Sequence, residues 1–177
     1  MRRIAPLVAC LLLAACGGRE EVPLPVLPAS AVPGLKSSTE DVEFRDLVAD
    51  FGATEKNFEG KFTGFVRGRE RVFQGESHRF DRVVSRTLEF EDADGARTYD
   101  SFYGAHVAAA FGTGTTKSAI RSRDRTGYLI DAASCACHRA EPTLAAVVAR
   151  GTRVSYLEVN GGGATRQALV DLLARAP

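Results

Sequence analysis

Val83-Val84-Ser85-Arg86-Thr87-Leu88-Glu89-Phe90 is the stretch of sequence that decides the fold. In an extended chain, Val84, Leu88 and Phe90 fall on one face, whereas Ser85, Thr87 and Glu89 fall on the other. Arg86 is the one residue that departs from this pattern. The alternation predicts a half-buried antiparallel strand over residues 82–90.

A helix is predicted directly after this strand, with Asp92 as its N-cap. Apolar and aromatic residues recur on one helical face, and Gly112 is suited to end the helix; these residues are Tyr99, Phe102, Tyr103, His106, Val107, Ala110 and Phe111. Because His106 lies on this stripe, we interpret it as a core or boundary residue bonded to backbone rather than as a ligand.

The remaining elements are predicted from similar patterns. They are a helix over 44–51 ended by Gly52, a strand at 69–75, hairpins of 117–123 with 127–132 and of 143–149 with 152–159, and a last helix over 164–175. A two-residue Arg150-Gly151 loop would pair Val147 with Val154 and Ala145 with Tyr156. Both faces of this second hairpin are apolar, which places it at the centre of the sheet. The order of elements predicts an α+β two-layer sandwich, mainly an antiparallel sheet with helices packed on one face.

The N-terminus has the features of a bacterial lipoprotein leader. Arg2 and Arg3 precede an apolar stretch that is too short to span a bilayer, which needs roughly 20 residues. The stretch ends in Leu13-Ala14-Ala15-Cys16-Gly17, which resembles a lipobox. We therefore expect a signal peptide over 1–15, a lipidated Cys16 and a Pro-rich tether over 16–38, and a single globular domain over 39–177.

This leader predicts localisation at the extracytoplasmic face of the cell membrane, through fatty acyl chains such as palmitate. Removing Arg2 and Arg3 leaves 21 of the 23 Lys and Arg residues against 22 Asp and Glu. A nearly neutral chain argues against nucleic acid as a partner, because nucleic acid needs a concentrated basic surface. The expected partners are the membrane, through the lipid, and an envelope ligand or protein that the sequence does not identify.

The second half of the chain carries a family resemblance. The segments Leu88–Ala96, Cys137-His138 and Val154–Val159 resemble single-domain lipoproteins of actinobacteria. More distantly, they are similar to the extracytoplasmic sensor domains of mycobacterial receptor kinases, the PknH-like group. The resemblance covers about half of the chain, from Val83 onward, and implies a sensing or ligand-binding role rather than catalysis.

Ser134-Cys135-Ala136-Cys137-His138 is the one compact chemical cluster. Cleavage would discard Cys10 and acylation would occupy Cys16, so Cys135 and Cys137 become the available pair. The sequence leaves four interpretations of this pair open. The two cysteines form a local disulfide, they are free thiols, they act as a redox pair, or they bind zinc or Cu(I) with His138 and with His78 or His106. A thiol-redox or metal-handling envelope protein is therefore the alternative function. A c-type haem site needs two residues between its cysteines, and here there is one.

The other chemically notable segments favour structural roles. Asn160-Gly161-Gly162-Gly163 precedes a helix but lacks the Lys-Ser/Thr of a phosphate loop, so we interpret it as a flexible connection. We interpret the basic residues Arg67, Arg69, Arg71, Arg79 and Arg82 as a solvated strand face. No nucleophile and base stand at a catalytic spacing, so the sequence predicts a non-enzymatic protein without a cofactor.

Overall fold

The computed structural model describes residues 22–52, 62–75, 79–112, 114–122, 125–132 and 142–176. In these ranges the strands are β1 Lys36–Val42, β2 Phe65–Gln74, β3 Arg82–Phe90, β4 Thr116–Ser122, β5 Arg125–Asp131, β6 Thr143–Arg150 and β7 Arg153–Asn160. The α-helices are α1 Phe44–Ala49, α2 Ala93–Ala105, α3 Val107–Phe111 and α4 Arg166–Arg175, and a short 3-10 helix spans Ala29–Ala31. No helix of this part of the chain is long and apolar enough to cross a membrane.

The described strands form one antiparallel sheet in the order β1-β2-β3-β7-β6-β5-β4. Strands β1 to β3 follow one another in sequence, as do β4 to β7. The pairing of β3 with β7 joins these two sets, from Arg82 opposite Asn160 to Glu89 opposite Arg153. The β6–β7 hairpin lies next to this junction, so its predicted central position is confirmed.

Helices cover both faces of the sheet. On one face, α1, α2 and α3 bury Leu47, Tyr99, Tyr103 and Val107 against strand residues such as Leu88. On the other, α4 buries Leu169, Leu172 and Leu173 against residues such as Val148 and Leu157. The α+β class and the antiparallel sheet are confirmed. The expected placement of all helices on one face is not observed, because the central strands carry apolar side chains on both sides and each side needs a cover.

The two longer helices begin at side-chain caps. The Asp92 carboxylate accepts from the Gly95 N–H at 2.8 Å, as the sequence predicts, and the Thr165 hydroxyl accepts from the Ala168 N–H at 3.2 Å. The expected continuous helix to Phe111 breaks at His106, which separates α2 from α3. The His106 N–H bonds the carbonyls of Phe102 and Tyr103, and the chain then turns before Val107 is buried.

The β6–β7 hairpin turns one residue later than the sequence predicts. Its loop is Gly151-Thr152, with Arg150 opposite Arg153, rather than Arg150-Gly151. Val147 therefore faces Tyr156, and Ala145 faces Glu158. Gly151 has a φ of 55°, and it stands at the first loop position, which also needs positive φ in the favoured hairpin turns. Because the register differs by two residues, every side chain keeps its predicted face.

Part of the expected tether packs on the domain. Residues 22–32, here called the strap, lie across β2 and β3 on the face that α4 also covers, and Leu27 in the strap is fully buried. The Leu27 N–H donates to the Ser85 hydroxyl at 3.0 Å, and the Thr87 hydroxyl donates to the Pro25 carbonyl at 2.6 Å. Prolines lack amide donors, so the side chains of the sheet take over part of the strap's hydrogen bonding.

The predicted basic strand face supports this strap. One Arg71 nitrogen donates to the Leu27 carbonyl at 2.7 Å, and one Arg67 nitrogen donates to the Val22 carbonyl at 3.3 Å. The neighbouring Arg82 points to the other face and pairs with Glu158. These arginines therefore do not form one solvated face, because the strap covers part of it.

Candidate functional site

Arg86 occupies the centre of the face that α1 and α2 cover. Its position on β3 places Glu70 of β2 on one side and Tyr156 of β7 on the other. The Arg86 Nε lies 2.7 Å from a Glu70 carboxylate oxygen, and a terminal nitrogen lies 2.5 Å from Asp50. The guanidinium carbon lies 5.5 Å from the centre of the Tyr156 ring. The side chains of Arg86 and Glu70 are only 11% and 9% exposed, so this is a buried ion pair.

Helix α1 brings Asp50 to this pair. A capping box starts the helix, in which the Glu43 side chain accepts from the Asp46 N–H and the Asp46 side chain accepts from the Glu43 N–H. Leu47 and Val48 are buried on the inner side of the helix. The Phe51 ring packs edge-on against the Phe102 ring, with 5.3 Å between the ring centres. These contacts fix the end of α1, where Asp50 is the C-cap, above Arg86.

A second ion pair continues the polar groups along the same face. The Tyr156 hydroxyl donates to one oxygen of Glu158 at 2.5 Å, and Arg82 contacts the other oxygen at 2.8 Å. Together with the Arg86 contacts, this forms a chain of charges and hydroxyls across β2, β3 and β7. We call it the Arg86 network; its members are Asp50, Glu70, Arg82, Arg86, Tyr156 and Glu158.

Burial shifts the titration of this network. It raises the pKa of Asp50, an effect that the nearby Arg86 only partly offsets. Burial alone would lower the pKa of Arg86, but the Asp50 and Glu70 carboxylates outweigh it and raise that pKa. The pKa of Tyr156 is raised by burial and further by Glu158. Arg86 therefore stays charged, and the tyrosine stays a neutral hydroxyl.

An open groove of about 390 Å³ leads from solvent to this network. Its walls are the end of β1 and the start of α1, and Glu70 and Arg86 lie at its base. Among the described residues, five carboxylates and two guanidinium groups line it, with Val42 and Ala49 between them; the charged residues are Glu40, Asp41, Glu43, Asp46, Glu70, Arg45 and Arg86. The groove is therefore acidic overall, and it suits a ligand that carries positive charge.

Asp100 is a second unusual carboxylate. It lies on α2 one residue after the fully buried Tyr99, and one of its oxygens is buried without a hydrogen-bond partner among the described residues. Burial raises its pKa to about 7. Asp100 is not among the described residues that line the groove, so it is separate from the Arg86 network.

The predicted chemical cluster lies outside the described residues. This holds for Cys135, Cys137 and His138, for Cys16, and for His78. Among the residues that the structure describes, no group of three or more His, Cys, Asp and Glu side chains is placed to hold a metal ion. The disulfide, redox and metal interpretations of Cys135, Cys137 and His138 stay predictions.

His106 and the glycine segment have structural roles. His106 is exposed, its Nδ1 lies 2.8 Å from the Phe102 carbonyl, and its ring stacks on Phe102 at 3.9 Å. The expected backbone bond is confirmed, although the ring lies at the surface. The Gly161 N–H donates to the Pro142 carbonyl, and the Gly163 N–H donates to the Arg79 carbonyl at 2.7 Å. A Cβ at Gly163 would lie 2.4 Å from that same oxygen, so this connection is closely packed against its neighbours.

The sequence contained one signal for this site. Arg86 breaks the apolar alternation of β3, and a charge on a buried strand face needs a partner. Nothing in the sequence identified Asp50 or Glu70 as those partners, because they lie 36 and 16 residues away and on other elements. Asp100 gave no signal, since an aspartate inside an amphipathic helix is ordinarily solvated.

Comparison with known proteins adds one similarity of fold. No family model matches the sequence, and no curated protein matches it. The structure is similar to the crystal structure of the extracellular domain of PknH from Mycobacterium tuberculosis, with 12% identity and a TM-score of 0.48. The match covers 78% of this chain and 80% of that one. PknH belongs to the group to which the sequence predicts a distant similarity.

Replacing Arg86 by methionine is expected to destabilise the domain by about 3 kcal/mol at pH 7, because the buried carboxylates of Glu70 and Asp50 lose their counterion. The free energy of unfolding is measured by urea denaturation. Arg97→Met is the matched control, since the Arg97–Asp94 pair is exposed and such pairs contribute about 0–1 kcal/mol. Adding Glu70→Gln and Asp50→Asn to Arg86→Met is expected to recover part of the loss. Equal effects of Arg86→Met and Arg97→Met would contradict a structural need for this charge.

Replacing Asp100 by asparagine is expected to stabilise the domain above neutral pH. The folded state raises the pKa of Asp100 to about 7, so folding favours the protonated form. Its stabilising effect is complete below the ordinary pKa of 3.8 and is lost as pH rises towards 7. At pH 8 we expect a gain of about 1 kcal/mol, allowing for solvent screening, and no gain at pH 4. Urea denaturation at both values tests this, with the exposed Asp94→Asn as control; a gain that is the same at both would refute it.

Proposed function

We propose that this chain is an extracytoplasmic lipoprotein, anchored through Cys16, whose domain binds or senses a ligand without catalysis. The leader and lipobox at residues 1–17 support the anchoring. The observation that carries the binding proposal is the Arg86 network at the base of an open acidic groove.

The energetics of burial favour a functional role for this network. Transferring a guanidinium and two carboxylates from water is costly, and a well-packed apolar set of similar volume is often as stable or more stable. Clusters of buried charges with shifted pKa values in a cleft are typical of functional sites. Because Arg86 neutralises only part of the acidic lining, the groove keeps an excess of negative charge for a ligand.

The charged lining of the groove suits the binding of a cation. Among the described residues, the side chains that line it are carboxylates, guanidinium groups and small apolar groups, without a hydroxyl, thiol or imidazole. Its deepest carboxylate, Glu70, is already paired with Arg86 at 2.7 Å. Such a set recognises a cationic ligand by charge and hydrogen bonds. A ligand seated there would contact β1, α1 and β3 together and so would change the balance of contacts at the end of α1.

The anchoring is tested by Cys16→Ser. The wild-type protein, produced in a bacterium that processes lipoproteins, is expected to carry a lipid mass on Cys16 and to partition into detergent. The Cys16→Ser protein is expected to lack that mass and to stay in the aqueous phase. Cys10→Ser serves as the control, because Cys10 lies in the predicted leader and its loss leaves acylation unchanged. Intact-mass spectrometry of the membrane fraction decides, and an unmodified Cys16 in the wild type would refute the anchor.

Binding in the groove is tested with a polyamine, spermidine, as a model cation. Calorimetric titration of the lipidated protein in detergent at low salt is expected to show saturable binding. The variant Glu40→Gln with Asp41→Asn should weaken it roughly fivefold, since each exposed charge contributes at most about 1 kcal/mol. The control, Glu91→Gln with Asp171→Asn, removes the same charge outside the groove and should change little. An equal loss in both variants would show attraction by net charge and would contradict a site in the groove.

A further inference from the structure

Two large apolar side chains are strongly exposed among the described residues, and both lie at one end of the sheet. Val22 is 78% exposed and Val66 is 51% exposed. The Val22 carbonyl accepts a hydrogen bond at 3.3 Å from the side chain of Arg67, the residue after Val66, and Pro23 lines the same hollow as Val66. Two exposed valines at the same end of the sheet, together with Pro23, mark an apolar patch.

A β-bulge turns Val66 outward. Phe65 lies opposite Phe90, and Arg67 lies opposite Glu89, so Val66 has no partner on β3. A bulge leaves its extra residue unpaired and changes the direction of its side chain. The patch continues into a hollow of about 490 Å³ beside Val66, whose apolar lining is Pro23, Leu24, Val42, Phe44, Phe65 and Val66.

The same patch is the place where the described chain leads back to Cys16. Six peptide steps separate Cys16 from Val22, and a fully extended chain covers about 3.4 Å per step. A lipid on Cys16 therefore holds the Val22 end of the sheet within about 20 Å of the anchored thiol. The opposite ends of the strands, at Gln74, Thr116 and Asn160, lie away from this exit.

We infer that this end of the domain docks on a phospholipid surface, with Val22, Pro23 and Val66 in contact with the lipid. The inference rests on the proposed anchoring through Cys16. The short connection keeps the patch at the membrane, and contact with lipid removes its apolar side chains from water. Asp41, Glu43, Arg67 and Arg69 border the hollow and give it mixed charge, so docking depends on apolar contact rather than on acidic lipid.

This orientation gives the two ends of the domain different surroundings. The acidic groove shares Asp41, Val42 and Glu43 with the hollow, so it opens beside the membrane. Ala132 and Pro142, between which the segment with Cys135 and Cys137 is inserted, lie at the far end of β5 and β6. The points where that segment joins the domain therefore face away from the lipid.

Photocrosslinking from two positions of one strand tests the docking. A photoreactive phenylalanine analogue is placed at residue 66 or at residue 74, where Gln74 is exposed at the other end of β2. Eight residues of strand separate the two sites by roughly 26 Å. The lipidated protein is inserted into vesicles of phosphatidylcholine and phosphatidylglycerol and is irradiated. We expect at least fivefold more lipid adducts from residue 66 than from residue 74, with the same ratio in high salt.

The outcomes separate docking from anchoring. If Cys16 carries lipid and the vesicles float with the protein, equal adducts from both positions would overturn the docking. Adducts at residue 66 that join two protein chains would also overturn it, because a second copy would then cover the patch. If Cys16 lacks lipid and the protein does not float, the anchoring fails first, and the docking that rests on it fails too. With the probe at residue 22, Val66→Asp is expected to lower lipid adducts severalfold, and Gln74→Asp is expected to leave them unchanged.

Discussion

The pairing of β3 with β7 is the constraint on which the rest of the structure depends. These strands are distant in sequence, yet they lie side by side and join an N-terminal set of three strands to a C-terminal set of four. Both strands carry apolar side chains on both faces, so each face must be covered. Helices α1, α2 and α3 cover one face, and α4 with the strap covers the other. Without this junction, neither set of strands has a neighbour that buries its central edge.

The same pairing places a charge where the fold alone would favour an apolar residue. Arg86 lies directly opposite Tyr156 across the β3–β7 junction, and Glu70 lies opposite it on β2. Three strands and the end of α1 therefore meet at one guanidinium. An arginine suits this position because its planar group donates in several directions at once, whereas a lysine offers a single centre of charge. The groove reaches the network from the side of β1 and α1, so a bound cation would act on the contacts that hold α1 in place.

The strap connects the sheet to the proposed anchor. It lies on the opposite side of the sheet from the Arg86 network, and Ser85, Thr87 and Arg71 hold its backbone. Alternate side chains of β2 and β3 therefore lie on opposite faces of the sheet and have different roles. Their even-numbered residues belong to the network, and their odd-numbered residues bind the strap. Because the strap is bonded to the sheet, the domain has a fixed exit for the chain near Val66. A flexible spacer over the whole tether would leave no end of the domain nearest to the proposed anchor.

The sequence by itself determined the helices and strands whose signals lie within a few neighbouring residues. The alternation over 82–90 gave β3, Asp92 gave the start of α2, the repeated leucines gave α4, and the order of these elements gave the α+β class. The leader and Cys16 define the proposed address in the same way, since a processing signal is read from a few adjacent residues. The β6–β7 hairpin was recognised, but its register differed by two residues, since Gly151 fits either loop position.

Only the tertiary structure decided the β3–β7 junction, the strand β1, the packing of the strap, and the partners of Arg86. Exposed Lys36 to Asp41 show no apolar alternation, and β1 exists because the edge of β2 offers it hydrogen bonds. The Arg86 network likewise depends on residues far apart in sequence, and only the folded chain brings an acid from α1 and one from β2 to the same guanidinium.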